Sequence, residues 1–310
     1  MARCGVCLDE RLAAYGFGQA HPFGNDRFYA FADEFRARGL ADDVDLFPAQ
    51  AGDTELLELF HTPAYVSRLK EASAHGVGYL DQGDTPVFPG IFEASALVAG
   101  SVHGAVRLLL DGEYEAAFVP IAGLHHARRD GAAGFCAVND CGIAIEALQR
   151  AGCERVLYVD IDAHHGDGVF YAFEEDPSLV VVDFHEDGRF LYPGTGRADE
   201  TGRGAARGTK INVPLPPQAN DALFETLWPS ALRFIRTRRP DFVILQAGAD
   251  SIAGDPITHL QLSPAIHHRV AADLMALGAP LLALGGGGYH RPNLAAAWCE
   301  VVAALRGNAD

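Results

Sequence analysis

Short apolar runs alternate with amphipathic stretches along most of this chain. Val156–Val159 (V-L-Y-V), Phe242–Leu245 (F-V-I-L) and Pro280–Leu284 (P-L-L-A-L) are almost unbroken in their apolarity. Strands buried on both faces read this way, whereas half-exposed strands alternate. Arg3–Leu8, Ala116–Ile121 and Leu179–Phe184 have the same character. Between these runs, apolar positions recur at helical spacing over Phe28–Arg38, Tyr65–Ala74, Ile91–Leu110, Asn139–Arg150, Val169–Glu175, Leu223–Arg236, Pro264–Leu277 and Asn293–Leu305. A shorter helix, Thr54–Phe60, starts from Thr54 as N-cap and is broken by His61-Thr62-Pro63. The alternation predicts an α/β fold with a central, mostly parallel sheet flanked by helices on both faces. No Pro/Ser-rich linker or repeat divides residues 1–310, so the expectation is a single domain.

The segments outside this pattern are polar and glycine-rich. One loop carries His21-Pro22 and Arg27; Gly76–Gly90 carries Asp81, Asp84 and Pro86; Arg189–Gly196 carries Tyr192. Long irregular loops of this kind suit a binding rim. Gly202–Gly208 is basic and glycine-rich but lacks the Gly-Lys-Ser/Thr of a phosphate loop, so it reads as a flexible turn.

The strands end in reactive side chains. Val156–His165 (V-L-Y-V-D-I-D-A-H-H) passes directly from apolar residues to Asp160, Asp162, His164 and His165. On an extended chain, alternate side chains share a face, so Asp160, Asp162 and His164 point together. Ala116–Ile121 leads to His125-His126, Leu179–Phe184 to His185, Phe242–Gly248 to Asp250, and Pro280–Leu284 to four glycines and Tyr289. In open parallel sheets the crevice lies outside the carboxyl ends of the strands, which would gather these residues. Asp162, His164 and Asp250 form a ligand set that leaves coordination positions open on a zinc- or iron-type ion. Such an ion activates water and polarises a carbonyl, which describes amide or ester hydrolysis. His125 and His126 supply the base, Asp160 and Asp167 the carboxylates that orient them, and Tyr289 a phenol for an oxyanion.

Composition narrows the setting. With 24 basic and 41 acidic residues the formal charge is −17, which argues against general nucleic-acid binding. Six dispersed cysteines form no disulfide framework; Cys4 and Cys7 stand alone as a C-x-x-C in a strand, where they face opposite sides. Without a signal-like or membrane-spanning apolar stretch, a cytoplasmic protein is expected.

Five motifs carry a family resemblance. G-L-H-H-A-R-R-D-G-A-A-G-F-C-A-V-N-D (Gly123–Asp140), V-D-I-D-A-H-H-G-D-G (Val159–Gly168), Y-P-G-T-G (Tyr192–Gly196), G-A-D-S-I-A-G-D-P (Gly248–Pro256) and L-G-G-G-G-Y (Leu284–Tyr289) resemble the histone deacetylase family, and most of all its bacterial acetoin-utilization-type members. The resemblance implies an arginase/deacetylase-like fold with a sheet of about eight strands. It also implies Zn²⁺ (or Fe²⁺) on Asp162, His164 and Asp250, and catalytic roles for His125, His126, Tyr289, Asp160 and Asp167. It puts Gly134, Phe135 and Tyr192 (in place of the usual Phe) around a channel for an acetyl-lysine stem, Asp84 at its rim and Arg27 at an inner acetate cavity. A structural K⁺ is implied near Asp160, Asp162, His164, Asp183 and Phe184, with Asp183 replacing the usual hydroxyl. The substrate is expected to be an acetylated lysine in protein or peptide, with acetylpolyamine or another small acetylated amine as the alternative. An arginase-type amidinohydrolase would need a second metal, whose ligand positions hold Gly166 and Ser251-Ile252 here. A non-catalytic acetyl-group binder would not require the full set of bases and phenol.

Overall fold

The computed structural model describes residues 3–18 and 20–307; the extreme residues of the expected 1–310 domain, and Gln19, lie outside them. The six foreseen strands are present as β1 (Cys4–Cys7), β3 (Ala116–Val119), β4 (Val156–Asp160), β5 (Leu179–Glu186), β7 (Phe242–Gln246) and β8 (Leu281–Leu284). Two edge strands join them, β2 (Asp45–Phe47) and β6 (Lys210–Leu215), giving eight strands in the order β2-β1-β3-β8-β7-β4-β5-β6. Every pairing is parallel, so all carboxyl ends lie on one side. The order has a direct consequence for chemistry. β3, β8, β7 and β4 are consecutive in the middle of the sheet, and these are the strands followed by His125-His126, Tyr289, Asp250 and Asp162/His164. The register places Asp160 between Gln246 and Asp183.

Helices α1 (Asp26–Ala37), α8 (Pro264–Met275) and α9 (Arg291–Leu305) pack together, and α4 (Ile91–Leu110) packs with α5 (Asp140–Arg150). α2 (Thr54–Leu57) and α3 (Pro63–His75) lean on α4, α6 (Asp167–Ala172) on α5, and α7 (Asp221–Arg238) on β5. Several local expectations shift. Thr54 opens α2 but Asp53 caps it, its carboxylate accepting from Leu56 N at 2.8 Å. Pro63 begins α3 at the position where a missing N–H is harmless, capped by Thr62. Arg27, expected in a loop, lies in the first turn of α1 and is fully buried. Cys4 and Cys7 are buried free thiols, pushed up to about 12 by burial, and are structural.

A buried histidine links this scaffold to the site. His61, 2% exposed between α2 and α3, accepts from Asn139 N through Nε2 (2.9 Å) and so donates through Nδ1 to Arg128 O (3.0 Å). Asn139 in turn caps α5 and donates through Nδ2 to the carbonyls of His125 (3.2 Å) and Ala127 (2.8 Å). The loop carrying the paired histidines therefore hangs on one neutral imidazole. Burial holds His61 down to about 4 from an ordinary 6.5. Between those values the unfolded chain binds a proton that the folded one does not, so His61's contribution is complete above pH 6.5 and is lost as pH falls towards 4. Chemical denaturation across this window should show stability declining with acid. His61→Gln, which keeps a donor and an acceptor, should flatten that decline; an unchanged slope would mean His61 is not held neutral.

Candidate active site

Asp162, His164 and Asp250 converge, each offering one ligand atom within 4.8 Å of the others, all buried. Each carboxylate is aimed by hydrogen bonds. Asp162 Oδ2 accepts from Gln246 Nε2 (2.9 Å) and Gly287 N (2.8 Å), and its Oδ1 from His164 N (2.9 Å). Asp250 Oδ1 accepts from Ala163 N (2.8 Å). Asp162 Oδ1 and Asp250 Oδ2 face His164 Nδ1 at 3.0 and 3.1 Å. Burial alone would lower His164, but Asp162 and Asp250 outweigh it and raise it to about 10. Asp250 is itself pushed up to about 7 by burial and by the charge on Asp162. The cluster thus has an excess of buried negative charge and draws in a proton as its counter-charge. A divalent cation of the zinc type would displace that proton, and the two carboxylate oxygens and one imidazole nitrogen then fit it.

The two paired histidines adopt different protonation states. His125 Nδ1 lies 2.8 Å from Asp160 Oδ2, His126 Nδ1 2.7 Å from Asp167 Oδ1, and the two Nε2 atoms are 3.1 Å apart. Burial favours neutrality at both. At His125 it is overcome by Asp160 and Asp162, which raise the ring to about 10; at His126 burial and the neighbouring charge on His125 lower it to about 4. His126 is therefore neutral at pH 7, with Nδ1–H on Asp167, its Nε2 3.1 Å from Nε2 of the charged His125, and its ring lining the cavity described next.

A cavity of about 200 Å³ leads to these groups, lined by Phe135, Tyr192, Gly134, His126, His164 and Tyr289, with Asp84 at its edge. Tyr192 stands edge-on to His126 at 5.1 Å, and Phe135 edge-on to Tyr289 at 5.8 Å. Gly134 and Phe135 both have left-handed backbones, φ 52° and 68°. A Cβ on Gly134 would come 2.5 Å from the His126 ring, so only glycine fits. Phe135 is held in its strained conformation by Thr85 Oγ1, which accepts from its N–H (3.2 Å), and by Tyr15 Oη, which donates to its carbonyl (2.7 Å). Tyr289 also reaches a smaller inner cavity shared with His125 and Asp162. Its phenol is kept protonated, raised well above its usual range by burial and then by Asp250 and Asp162.

Arg27 lies below this inner cavity, donating to the carbonyls of Gly288 (2.9 Å) and Gly286 (2.6 Å) and stacking 4.0 Å over Phe23, which lines the cavity. Asp183 sits beside Asp160, bonded to His185 Nδ1 (2.7 Å) and Gly166 N (2.9 Å). The Phe184 side chain packs on Phe224 and Trp228, leaving only its main chain to any ion.

Some supporting residues were not singled out from sequence. Asp140 accepts from Gly123 N (2.9 Å) and Leu124 N (3.3 Å), Tyr158 donates to Asp160 Oδ2 (2.6 Å), and Asp255 accepts from Tyr289 N (2.8 Å). Gln246 was visible as a polar residue ending an apolar strand; the others meet backbone groups that only the folded chain brings near.

Gly287 borders both ligand carboxylates. A Cβ there would overlap Asp250 Oδ2 and come 2.8 Å from Asp162 Oδ2. Gly287→Ala should lower metal affinity by roughly 10–100-fold, the range for disturbed ligand support. Elemental analysis after dialysis against a zinc buffer checks this; a full complement of metal would contradict it.

Comparison with known proteins agrees with this geometry. A family model described as "Histone deacetylase domain" matches residues 21–305. The acetoin utilization protein AcuC of Bacillus subtilis is 37% identical over 290 residues, covering 89% of this chain and 74% of that protein. Histone deacetylase RPD3 of Saccharomyces cerevisiae is 33% identical over 307 residues, covering 96% of this chain and 70% of that one. A crystal structure of the HDA15 HD domain superposes with a TM-score of 0.92 at 29% identity, covering 99% of this chain and 90% of the other. The arginase/deacetylase-like fold is thereby established, as is hydrolysis of an amide bond by a family that is generally zinc-dependent. The chain belongs to the histone deacetylase family, among relatives that include an acetoin-utilization protein.

Proposed function

We propose that this chain deacylates an amine carried on a linear aliphatic stem, acetyl-lysine in a protein or peptide above all, releasing acetate. The observation that carries this reading is the channel: Phe135 and Tyr192 enclose a passage that ends at His126, His164 and Tyr289. A stem of methylenes suits aromatic walls, and Asp84 at the edge offers an acceptor to the N–H groups flanking a lysine.

Asp162, His164 and Asp250 would hold the metal. When bound, a divalent ion there supplies Lewis acidity to the acyl carbonyl and makes a water molecule more acidic. His126 Nε2 removes the proton from the attacking water, because His126 is the neutral imidazole and lines both the channel and the inner cavity. Asp167 fixes its tautomer and steadies the imidazolium that forms. His125, held charged by Asp160, stabilises negative charge from the inner side. Tyr289 donates to the oxyanion as the carbonyl becomes tetrahedral, and His126 then returns its proton to the departing amine. A structural K⁺ beneath the site, near Asp160, Asp162, His164, Asp183 and Phe184, belongs to the same reading; the concentration of buried carboxylates supports it. Arg27 steadies the floor of the cavity through which acetate would leave. Cytoplasmic residence goes with free cysteines throughout; no helix among the described residues is long and apolar enough to cross a membrane.

Hydrolysis of an acetyl-lysine peptide beside an acetylpolyamine and a longer acyl-lysine tests the substrate assignment; preference for the polyamine would replace it. Chelation should abolish turnover and Zn²⁺ restore it. Tyr289→Phe should retain metal but lose roughly 10²–10³-fold in kcat, the scale of one oxyanion donor. Full turnover in that variant would remove the phenol from the mechanism.

A further inference from the structure

Resting on the deacylase reading, we propose that a concavity beside the channel mouth is a substrate subsite in which Arg128 receives a carboxylate carried close to the α-carbon of the acylated lysine. The concavity measures about 560 Å³ and shares Asp84 and Tyr192 with the channel, so it adjoins the place where groups flanking a threaded lysine emerge. Arg128 lines this hollow and also a second one that shares Tyr192 with it, about 470 Å³ in volume. Its link to the channel is Tyr192, which lines all three spaces.

The nearby charges differ in what they are free to do. Arg129 is tied to Phe60 O (3.1 Å) and Glu146 (2.7 Å), and Arg68 to Asp130 O (3.3 Å) and the face of Tyr65 (5.0 Å). Asp81 is filled by its own loop, accepting from the N–H groups of Gly83, Asp84 and Thr85 and from Thr85 Oγ1. Arg128, by contrast, uses only its main chain, and its guanidinium has no hydrogen bond or ion pair among the described residues. The carboxylate of Asp84 is likewise unpartnered, and neither it nor Asp130 pairs with Arg128. Among the described residues the hollow thus presents two free carboxylates, Asp84 beside the channel and Asp130 away from it, and one free cation. Asp84 suits the amide or ammonium on one side of the α-carbon, and the fork of Arg128 suits a carboxylate on the other. In a protein of net charge −17 an acidic substrate gains nothing from the overall field, so the preference must come from this local cation.

Two sources supply that carboxylate: the α-carboxylate of a free or C-terminal acyl-lysine, or the side chain of a following Asp or Glu. The test compares Nε-acetyl-lysine with its carboxamide, and internal peptides reading Lys(Ac)-Glu with Lys(Ac)-Gln, at low and high salt. The wild-type enzyme should favour at least one acidic partner by about 3–10-fold in KM with kcat little changed, and the margin should shrink with salt, as for an exposed charge pair. The favoured pair identifies the source. Arg128→Gln should erase the margin and Arg128→Glu reverse it. Calorimetric binding of the same ligands to Tyr289→Phe protein gives a readout that needs no turnover. Equal KM and equal binding within both pairs, or a margin that survives in Arg128→Gln, would overturn the subsite. Hydrolysis of none of the four, with the binding margin intact, would instead overturn the deacylase reading and leave the carboxylate site standing.

Discussion

Burying negative charge is the constraint that the centre of this molecule must satisfy. Asp160, Asp162, Asp183 and Asp250 are each no more than 1% exposed; Asp160 ends β4, Asp162 and Asp250 follow β4 and β7, and Asp183 lies within the adjoining β5. An isolated carboxylate in such surroundings is costly enough to protonate, so every one must be compensated. Main-chain N–H groups of His164, Ala163, Gly287 and Gly166 supply part of the compensation, the imidazoles of His125 and His164 supply charge, and His185 bonds Asp183 through Nδ1. What remains is directed at one point, between Asp162, Asp250 and His164. The attraction for a cation there is the unmet remainder of the compensation, not an addition to a finished fold.

The sheet meets this demand through its strand order. Parallel strands all finish on one side, and placing β3, β8, β7 and β4 side by side lets four distant segments end within reach of one another. Close approach then excludes side chains at particular places. Gly287 must leave room for both ligand carboxylates, and Gly134 for the His126 ring. Trp298 donates to Gly285 O (2.8 Å) and Arg27 to the carbonyls of Gly286 and Gly288, so the glycine run before Tyr289 is braced from α9 and α1 despite its lack of side chains. The flexibility that glycine allows in sequence is thus removed by tertiary hydrogen bonds.

Legibility in the sequence followed the distance over which each feature is determined. The central strands and the Asp162/His164 pair could be read because apolar continuity and two-residue spacing are local. β2 escaped because it has only three residues, and β6 because Lys210 and Pro214 interrupt its apolar pattern; a proline is tolerated there since β6 is an edge strand. Arg27 reads as part of a polar loop because helical spacing begins only at Phe28, and its partners, the carbonyls of Gly286 and Gly288, lie far along the chain. Asp140 and His61 were equally silent: their partners are main-chain atoms, which look alike in every sequence.

The pairing of His125 with His126 shows how far environment, not residue type, sets chemistry here. The two are adjacent, both nearly unexposed, each with one carboxylate partner at almost the same distance. Their difference lies in what stands behind each partner. Asp160 belongs to the carboxylate cluster, so His125 feels Asp162 and Asp183 as well and keeps its proton. Asp167 opens α6 away from that cluster, so His126 has one anion to set against burial and the charge on His125, and it stays neutral. Charging His125 therefore adds to burial in keeping the channel-facing imidazole available as a base: the excess of buried carboxylate that attracts the cation also bears on which histidine can take a proton.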